Sequence, residues 1–155
     1  MDLETWELLS YVVTVIGLPL AIGVFIFERR QEHESQEEAI WQQLSDAYID
    51  FLEVVLAHPD LRLRSQPSTP DLNDEQRERM QVIFDMLISL FERAYLLAYE
   101  PEMGERQGRR WHSWEDYMRE WCQRDDFRER LPELLRGEDP DFSAYIRSLA
   151  SETHV

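Results

Sequence analysis

Between Leu8 and Phe27 the chain runs for twenty residues, LLSYVVTVIGLPLAIGVFIF, without one charged side chain, and only Ser10, Tyr11 and Thr14 carry polar groups. Wound as a helix rising about 1.5 Å per residue, such a stretch is about 30 Å long, the thickness of a bilayer's hydrocarbon core. A core helix of a small domain is shorter and shows a polar face, so length and uniformity predict a transmembrane helix. A secretory signal peptide is the rival reading, and Ala21-Ile22-Gly23 offers small residues at cleavage-like spacing. It lacks a basic leading segment, and the apolar run continues past that site to Phe27.

The flanks orient the span. Arg next to a span is retained on the cytoplasmic side, whereas acidic residues weigh little. Asp2, Glu4 and Glu7 precede it with no Arg among them, and the juxtamembrane pair Arg29 and Arg30 follows it. The expectation is an N-terminus (1–7) outside a bacterial inner (plasma) membrane and the 128 residues after Phe27 in the cytoplasm. Trp6 and Tyr11 suit an interfacial aromatic anchor.

Charge and cysteine usage narrow the partners. The formal net charge is −16, and all 16 basic residues are Arg. A surface that acidic repels nucleic-acid phosphates and anionic head groups, so no nucleic-acid partner is expected. Cys122 is the only cysteine, which excludes an intramolecular disulfide and a thiolate metal cluster.

Within the span, Ser10, Thr14, Gly17 and Ala21 recur at steps of four, three and four and so share one helix face. Small or hydroxylated residues in that pattern let a second membrane helix approach closely, whether from another membrane subunit or from a homo-oligomer. Pro19 removes one backbone bond and predicts a mild kink. From 28 to 39 the run ERRQEHESQEEA has strong helix formers and no breaker, which predicts a polar helical stalk. Its Glu and His residues lack the spacing that aims two ligands at one ion.

From Ile40 onward (40–155) a helical domain is expected. Trp41, Leu44, Tyr48, Phe51, Leu52 and Val55 return at helical period, and Pro59 disfavours helix in His58 before it. The segment 59–73, with three prolines, reads as a loop. Asn73 with Gln76 forms a capping pattern for a second helix. Over Val82 to Tyr99 only Asp85, Ser89, Glu92 and Arg93 interrupt its apolar residues, so this helix is expected to be buried on most of its circumference.

After Pro101, MGERQGRR reads as a linker and Ser113 with Asp116 as a capping box opening a third helix. Trp111, Trp114, Tyr117, Met118 and Trp121 form an aromatic stripe there, read either as core or as an aromatic docking face. Arg106, Arg109 and Arg110 make the one basic cluster beyond the juxtamembrane pair, a candidate for head-group contact or for simple charge balance. In the tail, Pro132 is expected to open a short helix at Leu134 and Leu135, Gly137 to stop it, and Asp139-Pro140 to start the last. No strand pattern is present.

Signatures of catalysis are missing. The sequence has no Gly-rich phosphate loop, nucleophile elbow or zinc-type helix motif, and His33, His58, His112 and His154 are scattered. No enzyme activity, cofactor or metal is expected, and Cys122 reads as a buried, inert thiol.

The N-terminal span, HPDLRL, FERAYLLAYE, the aromatic pattern carried by Trp114, Tyr117, Trp121, Arg124, Phe127 and Arg128, and a closing F-x-x-Y-I together resemble a group of small bacterial single-pass membrane proteins of unknown function. The resemblance implies the same architecture and assigns no activity. The expected fold is therefore all-α, one N-terminal transmembrane helix continuing into a small cytoplasmic helical bundle. The expected role is non-enzymatic binding as an accessory or scaffolding subunit of a bacterial membrane protein complex. A membrane-tethered sensor or signalling effector, using the stalk or the 59–73 loop to relay a change, is the alternative.

Overall fold

The structure is a computed structural model that describes the backbone of residues 3–152 and the side chains of residues 22, 24–28 and 36–152. Five α-helices follow one another: α1 (Leu3–Ala57), α2 (Asp74–Ala98), α3 (Glu105–Cys122), α4 (Asp125–Leu134) and α5 (Pro140–Glu152), with a 3-10 turn at Pro59–Leu61. The fold is all-α, without a strand among the described residues. The chain divides into two compact units, Met1–Trp41 and Gln42–Val155.

In the first unit α1 is continuous through the expected span and stalk. Among the described residues no helix is long and apolar enough to cross a membrane. The apolar stretch contributes only Ile22 and Val24 to Phe27 to those residues, and all five are exposed. Ser10, Thr14, Gly17, Ala21, Arg29 and Arg30 lie outside the described side chains.

The second unit is a helical bundle whose chain reversals follow local chemistry. α1 stops at Ala57, ahead of Pro59, as pre-proline sterics dictate. Asn73 caps α2 reciprocally: its Oδ1 accepts from the Gln76 amide at 2.9 Å, and Gln76 Oε1 accepts from the Asn73 amide at 3.1 Å. Asp139 Oδ1 accepts from the amides of Asp141 and Phe142, each at 3.0 Å, and opens α5. Gly137, at φ +90°, makes the reversal before it in a conformation that L side chains rarely adopt.

Two expected boundaries are corrected. MGERQGRR is not a linker beyond Gly104, because α3 begins at Glu105 and the Gly108 amide donates to Gly104 O at 2.8 Å. Glu, Arg and Gln are strong helix formers, and the single Gly108 is too weak a breaker to hold that turn open. Ser113 and Asp116 accordingly sit inside α3. Pro132 lies within α4 and does not open a helix at Leu134. The turn holding Leu131 and Leu134 in the core continues through it.

The core is strongly aromatic. Leu44, Tyr48, Phe51 and Val55 of α1 are buried, as are Ile83, Phe84, Leu87, Ile88 and Phe91 of α2. Tyr48 stacks on Tyr117 at 4.3 Å between ring centroids, Phe51 meets Trp121 edge-on at 5.6 Å, and Phe84 meets Phe127 edge-on at 5.2 Å. Tyr95, Tyr99, Trp111, Phe142 and Tyr145 form a second cluster between α2, α3 and α5.

Candidate interaction surface

The residues singled out in the sequence sort cleanly by burial. Trp111, Trp114, Met118 and Trp121 are buried and Tyr117 half-buried, so the aromatic stripe of α3 faces the bundle's interior. Two indole N–H groups of that stripe are satisfied by tyrosines: Trp111 Nε1 donates to Tyr145 Oη at 2.9 Å and Trp121 Nε1 to Tyr48 Oη at 3.3 Å. Tyr145 in turn donates to Glu115 Oε2 at 2.7 Å, and Arg119 holds Glu115 Oε1 at 2.7 Å. Burial pushes the Glu115 carboxyl up, but the Tyr145 hydroxyl and the Arg119 guanidinium outweigh it and hold the group below the usual carboxylate range. Arg106 and Arg109 are exposed and Arg110 half-buried in the first turns of α3.

The expected loop 59–73 is tied down. Leu61 and Leu63 are buried, and Arg124, only 4% exposed, gathers the segment. Its Nη1 donates to the carbonyls of Arg62 (3.3 Å), Leu63 (2.8 Å) and Gln66 (2.5 Å), and its Nη2 to Thr69 Oγ1 at 3.3 Å. In the sequence Arg124 stands only within the resemblance pattern, and no local signal marks this role.

Cys122 and Glu138 both depart from ordinary protonation behaviour. Burial pushes the Cys122 thiol up to about 12. A hydrogen bond to Glu92, then burial and the charges of Glu92 and Asp85, raise the Glu138 carboxyl to about 7. Glu92 also accepts from the Asp139 amide at 2.5 Å, so the pair latches the α4–α5 connection to α2. Among the described residues no group of three or more His, Cys, Asp or Glu side chains is placed to hold a metal ion.

What remains is a surface. The sequence predicts α2 buried on most of its circumference, with a narrow polar stripe at Asp85, Ser89, Glu92 and Arg93. The structure instead leaves Val82 (52%), Met86 (43%), Leu96 (58%) and Leu97 (51%) exposed beside Asp85, Ser89 and Arg93. Among the described residues no further helix covers that side of the bundle. With Asp50, Phe51 and Val54 of α1, the residues Val82, Met86, Ser89 and Leu90 line an open groove of about 520 Å³. The charged side chains at its edges, Asp50, Asp85 and Arg93, form no ion pair within the described residues. A polar recess of about 310 Å³ beside Trp121 differs in this respect, since its Arg64 is held by Glu120 at 2.6 Å and lies over the Trp121 ring at 5.6 Å.

Comparison with family models, curated proteins and solved structures finds no match to this chain. The resemblance to small bacterial membrane proteins rests on its motifs alone.

Proposed function

We propose that this chain acts by binding, as a single-pass, membrane-anchored accessory or scaffolding subunit of a bacterial membrane protein complex. Leu8 to Phe27 crosses the inner membrane with the N-terminus outside, and the helical bundle sits in the cytoplasm. The observation that carries this reading is the uncharged twenty-residue stretch inside α1. Its described members Ile22 and Val24 to Phe27 are all exposed, an arrangement that water disfavours and lipid favours. A binding role is supported by the inert Cys122 thiol, by the mutual engagement of Glu92 and Glu138, and by an unpartnered apolar groove. Arg124 ties the 59–73 loop firmly, which favours a fixed scaffold over a sensor working through that loop.

The mechanism is attachment at two points. Ser10, Thr14, Gly17 and Ala21 present small side chains to a helix of another subunit within the bilayer. The cytoplasmic bundle supplies the second contact, held against the soluble face of that subunit. Anchoring raises the effective concentration of that second contact, so neither has to be strong alone. Replacing Gly17 and Ala21 together with Leu tests the reading. Membrane partners identified by mass spectrometry after gentle detergent extraction are lost from the variant if it holds, and unchanged co-purification contradicts it.

A further inference from the structure

We propose that a second copy of this chain covers the exposed face of α2, the two α2 helices crossing antiparallel about a two-fold axis at Ser89. This rests on reading the α1–α2 groove as a contact surface and names its occupant; it does not depend on the membrane anchor.

The face is self-complementary about that residue. Counted from Ser89, Val82 stands seven residues before and Leu96 seven after, while Asp85 stands four before and Arg93 four after. All five are exposed, and at 3.6 residues per turn they share one side of the helix, opposite the buried Phe84, Leu87 and Phe91. A two-fold axis perpendicular to α2 sets each residue against the one equally far on the other side. Val82 then packs on Leu96 of the second copy, and Asp85 pairs with its Arg93, each contact made twice. The small Ser89 at the crossing lets the backbones approach, and steps of four and seven match the spacing of a helix–helix seam.

Charge selects both the orientation and the occupant. A parallel arrangement sets Asp85 against Asp85 and Arg93 against Arg93, which repels. An anionic membrane surface meets the acidic rim of Asp50 and Asp85 on a chain of net charge −16, which also repels. An antiparallel second copy satisfies Arg93 and Asp85 at once.

The test uses the full chain in mild detergent. Ser89→Cys is expected to give a disulfide-linked dimer on oxidation, and the buried Cys122 does not compete. Val82→Cys alone is expected not to cross-link, because its two copies lie about 21 Å apart along the seam. Val82→Cys combined with Leu96→Cys is expected to cross-link. By analytical ultracentrifugation, Asp85→Arg and Arg93→Asp are each expected to weaken the dimer roughly tenfold or more, since each sets like charges face to face twice. The double variant Asp85→Arg/Arg93→Asp is expected to restore it. The proposal is overturned if the chain is monomeric, if Val82→Cys links as readily as Ser89→Cys, or if the double variant stays as weak as the singles. A monomer that still co-purifies with membrane partners removes the second copy and leaves the scaffold reading standing. A cross-linked Ser89→Cys dimer without membrane partners does the reverse.

Discussion

Arg124 and Asp126, two residues apart at the start of α4, meet fork to fork: Nε lies 3.0 Å from Oδ1 and Nη2 lies 2.6 Å from Oδ2. The same guanidinium donates to three carbonyls of the 59–73 segment, so one buried cation joins a loop that is irregular beyond its Pro59–Leu61 turn to the helical core. Removing it takes the donor from the Leu63 and Gln66 carbonyls and leaves Asp126 with only the Thr69 amide. Arg124→Ala is expected to lower unfolding stability by about 3 kcal/mol in urea titration. Arg124→Lys is expected to recover only part of that, because an ammonium cannot reproduce the planar fork.

Glu138 predicts a stability that falls as pH rises. Its folded-state pKa of about 7 lies above the ordinary 4.5, so between those values the folded chain binds more protons than the unfolded one. Its contribution is therefore fully present below about 4.5, declines up to about 7 and is flat beyond. Glu138→Gln keeps a donor toward Glu92 and is expected to flatten that slope, leaving the variant more stable than the wild type at pH 8. Thermal melts at pH 5 and pH 8 check it, and an unchanged slope contradicts it.

Cys122 is expected to stay silent toward thiol reagents. With its pKa raised to about 12 and its side chain fully buried, the thiolate that would react is essentially unpopulated near neutrality. Labelling at pH 8 should follow the denaturant-induced unfolding transition. Fast labelling of the folded chain would show the site to be open.

Gly108 offers a gain in stability. It lies inside α3, and a Cβ there meets only Met103 Cβ at 3.9 Å. Gly108→Ala is expected to stabilise the bundle by about 0.5–1 kcal/mol through helix propensity and reduced freedom of the unfolded chain. Gly137→Ala, at φ +90°, is expected to destabilise it. Calorimetry of the two variants gives opposite shifts if the boundaries of α3 and α4 are as described.

Features set by close neighbours along the chain are legible in the sequence itself. Asn73 with Gln76, Pro59 after Ala57, and Asp139 before Pro140 each act within four residues, and the structure uses all three as expected. The aromatic period of α3 likewise shows which residues share a face. Features set by distant partners are not legible there. Arg124 owes its role to carbonyls 58 to 62 residues upstream, and Glu138 to a carboxylate on another helix. The exposed face of α2 escapes the sequence for a different reason. Val82, Met86, Leu96 and Leu97 are core-type residues, and only the lack of a covering helix among the described residues reveals that they face outward.

Whether Leu8 to Phe27 holds the chain in a membrane is decided by alkaline carbonate extraction of cells expressing the intact chain. Retention in the membrane pellet after carbonate, with release only by detergent, is the predicted result. Recovery of the intact chain in the carbonate supernatant would contradict a membrane anchor.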